Sequence, residues 1–153
     1  MTSVDFPIRE GVNVGRVNHV TIAWAGEKAF DAGRAGHAQV RFDSSGKTGP
    51  GPVDALLIAL GTCTAIDVLE ILAKRRTPVE SLEMEVRGAR AEEVPARLVG
   101  AELVYRIVGA GIERVHAERA VALAVEKYCS VRSSLDPEIP ICWKVELNQP
   151  AEK

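Results

Sequence analysis

The sequence predicts an α+β fold in which helices cover a mainly antiparallel sheet. Three observations lead there. Apolar and polar residues alternate through residues 82–87, 98–108 and 141–147, the period of strands with one buried face. A long apolar stretch runs from about Val53 to Arg75. A second stretch, about 113–129, sets Ala117, Ala120, Val121, Ala124, Val125 and Tyr128 at helical spacing on one face.

Taken in order, residues 15–22 (GRVNHVTI) and 37–43 (HAQVRFD) read as short strands with turn-like segments between them. SSGKTGPGP, residues 44–52, is a loop rich in Gly and Pro, and its last proline suits a helix start because the first turn does not need that N–H. The long helix follows. Gly61 and the threonines at 62, 64 and 77 lower its local propensity, which leaves room for a kink or an early end. Lys74, Arg75 and Arg76 stand where cations favour a helix C-terminus. Leu82, Met84 and Val86 form the inner face of the next strand, and Gly88 to Pro95 turns the chain. Leu103, Tyr105 and Ile107 face one way in the strand at 98–108, which Gly109 and Gly111 end. After the helix at 113–129, Ser133–Pro140 is a loop. In the last strand Ile141, Trp143, Val145 and Leu147 oppose Cys142, Lys144 and Glu146. Residues 148–153 read as a frayed tail.

The 153 residues suit one domain, 1–153, without internal repeats, and a chain of this length buries a core without staples or metals. With 19 basic and 21 acidic residues the net charge is −2, so no electrostatic argument favours nucleic acid or an anionic membrane. The opening MTSVDFPIRE lacks the pattern of a signal peptide. ALLIALGTCTAI, residues 55–66, is too short to span a bilayer and is flanked by Asp54, Asp67 and Glu70, so it reads as a buried helix of a soluble protein. His19, His37 and His116 form no HxxxH pattern and there is no CxxC, so neither metal nor cofactor is expected.

Three cysteines are too few, and odd in number, for a secreted disulfide scaffold. In a reducing, cytoplasmic setting they are free thiols, a metal site or a redox pair. Cys63 lies in the middle of the most apolar helix, where a cysteine is ordinarily a small buried hydrophobe. Cys129 ends the second helix, a more accessible place whose dipole does not favour a thiolate. Cys142 points to the polar face of its strand and is a poor partner for either. If both helices pack on one sheet, Cys63 and Cys129 approach bonding distance. Periodicity alone leaves inert thiols ahead of a functional pair. Asp67, one turn after Cys63, raises a thiol pKa rather than activating it. Asp54 suits the helix N-terminus, or partners an arginine near the thiol; Arg34 and Arg41 are the arginines at hand. His116 reads as a surface residue, and loop 49–52 is not a phosphate motif.

Two segments carry a resemblance. GPVDALLIALGTCTAIDVLEILAKRRTPVESLEMEVRGARAEEVP and ERAVALAVEKYCSVRSSL, with their cysteines 66 residues apart, resemble the OsmC/Ohr superfamily, nearest its general redox-protein branch, over roughly residues 20–147. The resemblance implies an intertwined homodimer of order β-β-β-α-β-β-α-β, with long central helices and active sites at the subunit interface. It implies that Cys63 attacks an organic or hydrogen peroxide and becomes a sulfenic acid, that Cys129 resolves it to a disulfide, and that an external dithiol reduces this bond. The substrate implied is small and apolar, since Leu56, Leu57, Leu60 and Ile66 surround Cys63 in sequence. Family members also use a glutamate and an arginine near the thiol. Here Val53 and Asp54 occupy the glutamate positions, Arg34 and Arg41 are the arginine candidates, and the family's His–Pro turn reads Val94–Pro95. The alternative is a non-enzymatic dimer of the same fold, structural or binding a small hydrophobic ligand.

Overall fold

The computed structural model describes residues 5–149, and its chain forms two compact units divided after Pro52. The first unit is a three-stranded antiparallel meander of β1 (Thr21–Gly26), β2 (Ala29–Gly33) and β3 (Val40–Asp43). The β1–β2 turn uses positive φ at Gly26 and Glu27, and the Trp24 indole N–H donates to the Glu27 carbonyl at 3.0 Å. The first strand therefore begins later than GRVNHVTI predicts: only Thr21 and Ile22 of that segment pair, opposite Gly33 and Ala32. After β3 the loop closes on Asp43, whose carboxylate accepts from the amide and hydroxyl of both Ser45 and Thr48, at 2.7–3.1 Å. These donors hold the Asp43 carboxyl well below the usual carboxylate range.

The second unit is built on α1 (Pro52–Lys74). Leu60, Thr64, Val68 and Leu72, four residues apart, form its fully buried seam. Pro52 opens the helix and Asp54 lies in its first turn. The helix runs its full length without an early end. It stops at a Schellman-type cap: the amide of Arg76 donates to Ala73 O and that of Thr77 to Leu72 O, with Arg76 at φ 63°. The sequence predicts a buried helix, yet only 28% of its most apolar 18-residue window is buried within the chain. One sheet and one short helical segment cover a single side of it. By length and composition alone α1 is long and apolar enough to cross a membrane. Its polar seam residue Thr64 and its packing on a sheet are features of a core helix instead.

The sheet comprises β4 (Ser81–Arg90), β5 (Leu98–Val108) and β6 (Ile141–Leu147), in that order. Two glycines set how closely it meets α1. A Cβ at Gly61 would lie 2.9 Å from a Val86 methyl, and one at Gly88 would lie 2.7–2.9 Å from Leu98 and Leu57 methyls. β4 and β5 pair antiparallel and β6 runs parallel to β5, so the one parallel pairing sits within the mainly antiparallel plan. The chain leaves β5 through a helical crossover and returns beside it in the same direction. That crossover is not one helix over 113–129. It is α2 (Arg114–Leu123), a π-helical turn (Ala124–Tyr128), and, after Cys129, the one-turn α3 (Ser130–Ser134), which runs into the start of the segment expected to be loop. Of the tail, Asn148 is pinned: its amide donates to Ile107 O and its side chain bridges Gly109. Residues 150–153 lie outside the described residues.

Candidate functional site

The second unit brings Cys63 and Cys129 close enough for their thiols to interact electrostatically. Cys63 rides on α1, half-buried against the core. Cys129 is 1% exposed. This reverses the accessibility expected from helix position. The π-helical turn ends with the Cys129 amide donating to Ala124 O at 3.0 Å, and Cys129, just past the turn, points into the core rather than out of it. The dipole reading also changes. Cys129 ends one helix and caps the next: its Sγ accepts from the Arg132 amide at 3.2 Å. Burial nevertheless dominates and pushes the thiol up to about 11, with the adjacent Cys63 adding to the rise and the backbone N–H groups of Arg132 and Val131 opposing it.

Beside the pair runs a buried hydrogen-bond chain that sequence reasoning missed. The Tyr105 hydroxyl donates to Thr64 Oγ1 at 2.7 Å, and the Thr64 hydroxyl donates to Gly61 O at 2.9 Å. Tyr105 is fully buried, which pushes its phenol up to about 12, and the Cys129 sulfur is near enough to contribute. The signal for it was a tyrosine on the core face of a strand, since a buried phenol needs a partner. Nothing in the sequence marks the π-helical turn.

The other candidates fall elsewhere. Cys142 is exposed on the outer face of the sheet, its thiol 3.8 Å from Ala101 O, and is not brought to the pair. Asp54 lines an apolar groove of about 550 Å³ with Leu57, Ile58, Met84 and Val86. It precedes Cys63 by nine residues. That is about two and a half helical turns, or ~13 Å along the axis, so the two project from opposite sides of α1. One chain therefore does not set its own Asp54 beside its own Cys63. Arg34 and Arg41 belong to the first unit. There Arg41 grips Asp31 through two hydrogen bonds of 2.6 and 3.0 Å, which hold the Asp31 carboxyl below its ordinary range, while the Arg34 carbonyl accepts from Gln39 and His37. His116 is not an isolated surface residue: its Nε2 lies 2.6 Å from Arg75 Nη2. Among the described residues no group of three or more His, Cys, Asp or Glu side chains is placed to hold a metal ion.

Residues 44–144 match the family model described as OsmC-like protein. Protein YhfA of Escherichia coli K12 is 34% identical over 113 residues, which span 74% of this chain and 84% of that protein. The crystal structure of a hypothetical protein from Aquifex aeolicus VF5 superposes with a TM-score of 0.75 at 29% identity, over 88% of this chain and 99% of that one. The fold is also that of an organic hydroperoxide resistance protein OsmC from Legionella pneumophila, at a TM-score of 0.63 and 14% identity, over 87% and 98% of the two chains.

Proposed function

Because the chain belongs to the OsmC-like protein family of the OsmC/Ohr superfamily, we propose that it is a thiol-dependent peroxidase reducing small organic peroxides or hydrogen peroxide. Family membership supports a general redox role. The observation that carries the finer reading is the proximity of the Cys63 and Cys129 thiols in a chain whose third cysteine stands apart.

The asymmetry of the pair supports the division of labour. Cys63, the half-exposed member, meets the peroxide as thiolate: its sulfur attacks one peroxide oxygen, the O–O bond breaks, and the alcohol leaves with a proton. Cys129 stays protonated until the Cys63 sulfenic acid forms beside it. Its sulfur then displaces the hydroxyl, giving a Cys63–Cys129 disulfide and water. An external dithiol returns both thiols. On this reading the protein works in the reducing cytoplasm as a homodimer. Exposed Leu56, Ile58, Ile66 and Leu69 on α1 support a second copy as its cover. With Asp54 on the far side of the helix, any role for it at a thiol is played across that interface.

Purified protein is expected to consume cumene hydroperoxide in the presence of dithiothreitol, with Cys63→Ser reducing the rate to background. Peroxide alone is expected to produce an intramolecular Cys63–Cys129 disulfide by peptide mass. An unchanged rate in Cys63→Ser, or a bond to Cys142, refutes the assignment. The second reading, a dimer that binds a small hydrophobic ligand without turnover, is favoured by one observation: the apolar groove lies on the face of α1 away from the thiols.

A further inference from the structure

Tyr105 takes no part in these steps, yet it shares the core of the thiol pair. It stands on β5, fully buried, in the cluster that holds Cys129 and Leu60 and against which Cys63 packs. The Cys129 sulfur is close enough to help push its phenol up to about 12. Its hydroxyl donates to Thr64 Oγ1 at 2.7 Å, and the Thr64 hydroxyl donates to Gly61 O at 2.9 Å.

In the seam of Leu60, Thr64, Val68 and Leu72, Thr64 is the one polar side chain. A valine there would bring no hydroxyl out of water, and two bonded hydroxyls add little net stability over an apolar seam. What they add is direction. Apolar contacts let a helix slide or turn by fractions of an ångström, whereas an O–H···O bond weakens steeply as its angle closes. Thr64 and Gly61 bracket Cys63 in the chain. At Gly61 the helix also comes so close to β4 that an added Cβ would lie 2.9 Å from a Val86 methyl. The turn bearing Cys63 is thus fixed against both strands. Cys129 is fixed separately. Its Sγ accepts from the Arg132 amide at 3.2 Å, and the Arg132 guanidinium donates to the carbonyls of Asp136, Pro137 and Ile139 at 3.2–3.3 Å.

We propose that Tyr105 is a positioning residue for disulfide formation: through the Thr64 hydroxyl it holds the Cys63 turn of α1 in place against the Cys129 sulfur. The proposal rests on the peroxidase reading. In the step concerned, the Cys129 sulfur attacks the sulfenic sulfur of Cys63, the S–O bond breaks, and the hydroxyl leaves as water with the Cys129 proton. A disulfide closes only within a narrow range of separation and dihedral angle. A misplacement of about 1 Å slows a step of this kind by up to about a hundredfold. The competing fate of the sulfenic acid is attack on a second peroxide, which oxidises it to sulfinic acid and releases another alcohol. The placement of Cys63 therefore decides between a recyclable disulfide and an inactivated thiol.

The test compares full-length Tyr105→Phe with the parent under excess cumene hydroperoxide. Phenylalanine keeps the ring and leaves Thr64 donating to Gly61 O, so no polar atom is orphaned. The ratio of Cys63 sulfinic acid to Cys63–Cys129 disulfide, read by peptide mass, is expected to rise about tenfold. Thr64→Ser, which keeps a hydroxyl, is expected to hold the parental ratio, and Thr64→Val to raise it as Tyr105→Phe does. The double variant Tyr105→Phe/Thr64→Val is expected to go no further than either single one, because both break one bond. A lowered melting temperature with an unchanged ratio overturns the proposal, and so does an additive effect in the double variant. A second arm needs no peroxide. In a Cys142→Ser background diamide adds to the Cys63 sulfur, and the Cys129 sulfur displaces the hydrazine to close the disulfide. Closure is expected to slow about tenfold in Tyr105→Phe. Closure at the parental rate overturns the positioning role. If the parent forms a disulfide with diamide and none with peroxide, the peroxidase reading falls, and slowed closure in Tyr105→Phe still upholds the positioning of the pair.

Discussion

Cys129 is a thiol held neutral by its surroundings, and Cys63 and Cys142 are the ones that reagents reach. Iodoacetamide at pH 8 is therefore expected to label Cys142 first, Cys63 next and Cys129 last, with Cys129 slower than Cys142 by about a hundredfold. Peptide mass mapping over time reads the order, and early labelling of Cys129 contradicts the burial that sets it. The same burial links stability to pH. The Cys129 pKa is raised from 9.0 to about 11, so the folded state keeps a proton that the unfolded chain releases. Its contribution is whole below pH 9 and is lost as pH rises through 11; Tyr105, raised from 10.0 to about 12, extends the loss further. Urea midpoints should fall across pH 9–11, and less so in Cys129→Ala. The two cysteines were legible in the sequence as a pair through the family-like segments around them. Their relative exposure was not, because it depends on where one π-helical turn points the end of a helix, and that turn leaves no periodic trace.

The strands of the larger sheet were legible because their apolar residues largely alternate: the segments at 98–108 and 141–147 became β5 and β6 with the same bounds, although central β5 buries Val104 on its second face as well. Direction was not legible, since parallel and antiparallel partners bury the same alternating residues. The meander was read less well, and its strands expose much of their apolar surface within the chain, Ile22, Trp24 and Val40 among them. Where α1 meets β4, Gly88 read as turn onset but is a packing residue inside the strand, admitting the Leu57 and Leu98 side chains. Gly88→Val is expected to lower stability by about 1–3 kcal/mol, since its methyls must displace those leucines from the interface between helix and sheet. Urea denaturation with an unchanged slope is the measurement. A stability equal to the parent would mean that α1 is not seated this closely on the sheet.

At the scale of the whole molecule, two facts bear on the proposed second copy. The long helix leaves Leu56, Ile58, Ile66 and Leu69 exposed, and Asp54 projects from the side opposite Cys63. If Asp54 tunes a thiol, it tunes the one on another subunit, and each active site draws on two chains. Sedimentation is then expected to give a dimer, and Asp54→Ala and Cys63→Ser are each expected to be nearly inactive alone. Mixed and allowed to exchange subunits, the two inactive proteins are expected to regain about a quarter of parental activity, because half the dimers are hybrids and each hybrid carries one intact site. The intact site pairs Cys63 of the Asp54→Ala chain with Asp54 of the Cys63→Ser chain. Were Asp54 to act within its own chain, every site in the mixture would still lack a residue or carry its loss, and exchange would restore nothing. A dimer without complementation would keep the subunit interface and remove Asp54 from it.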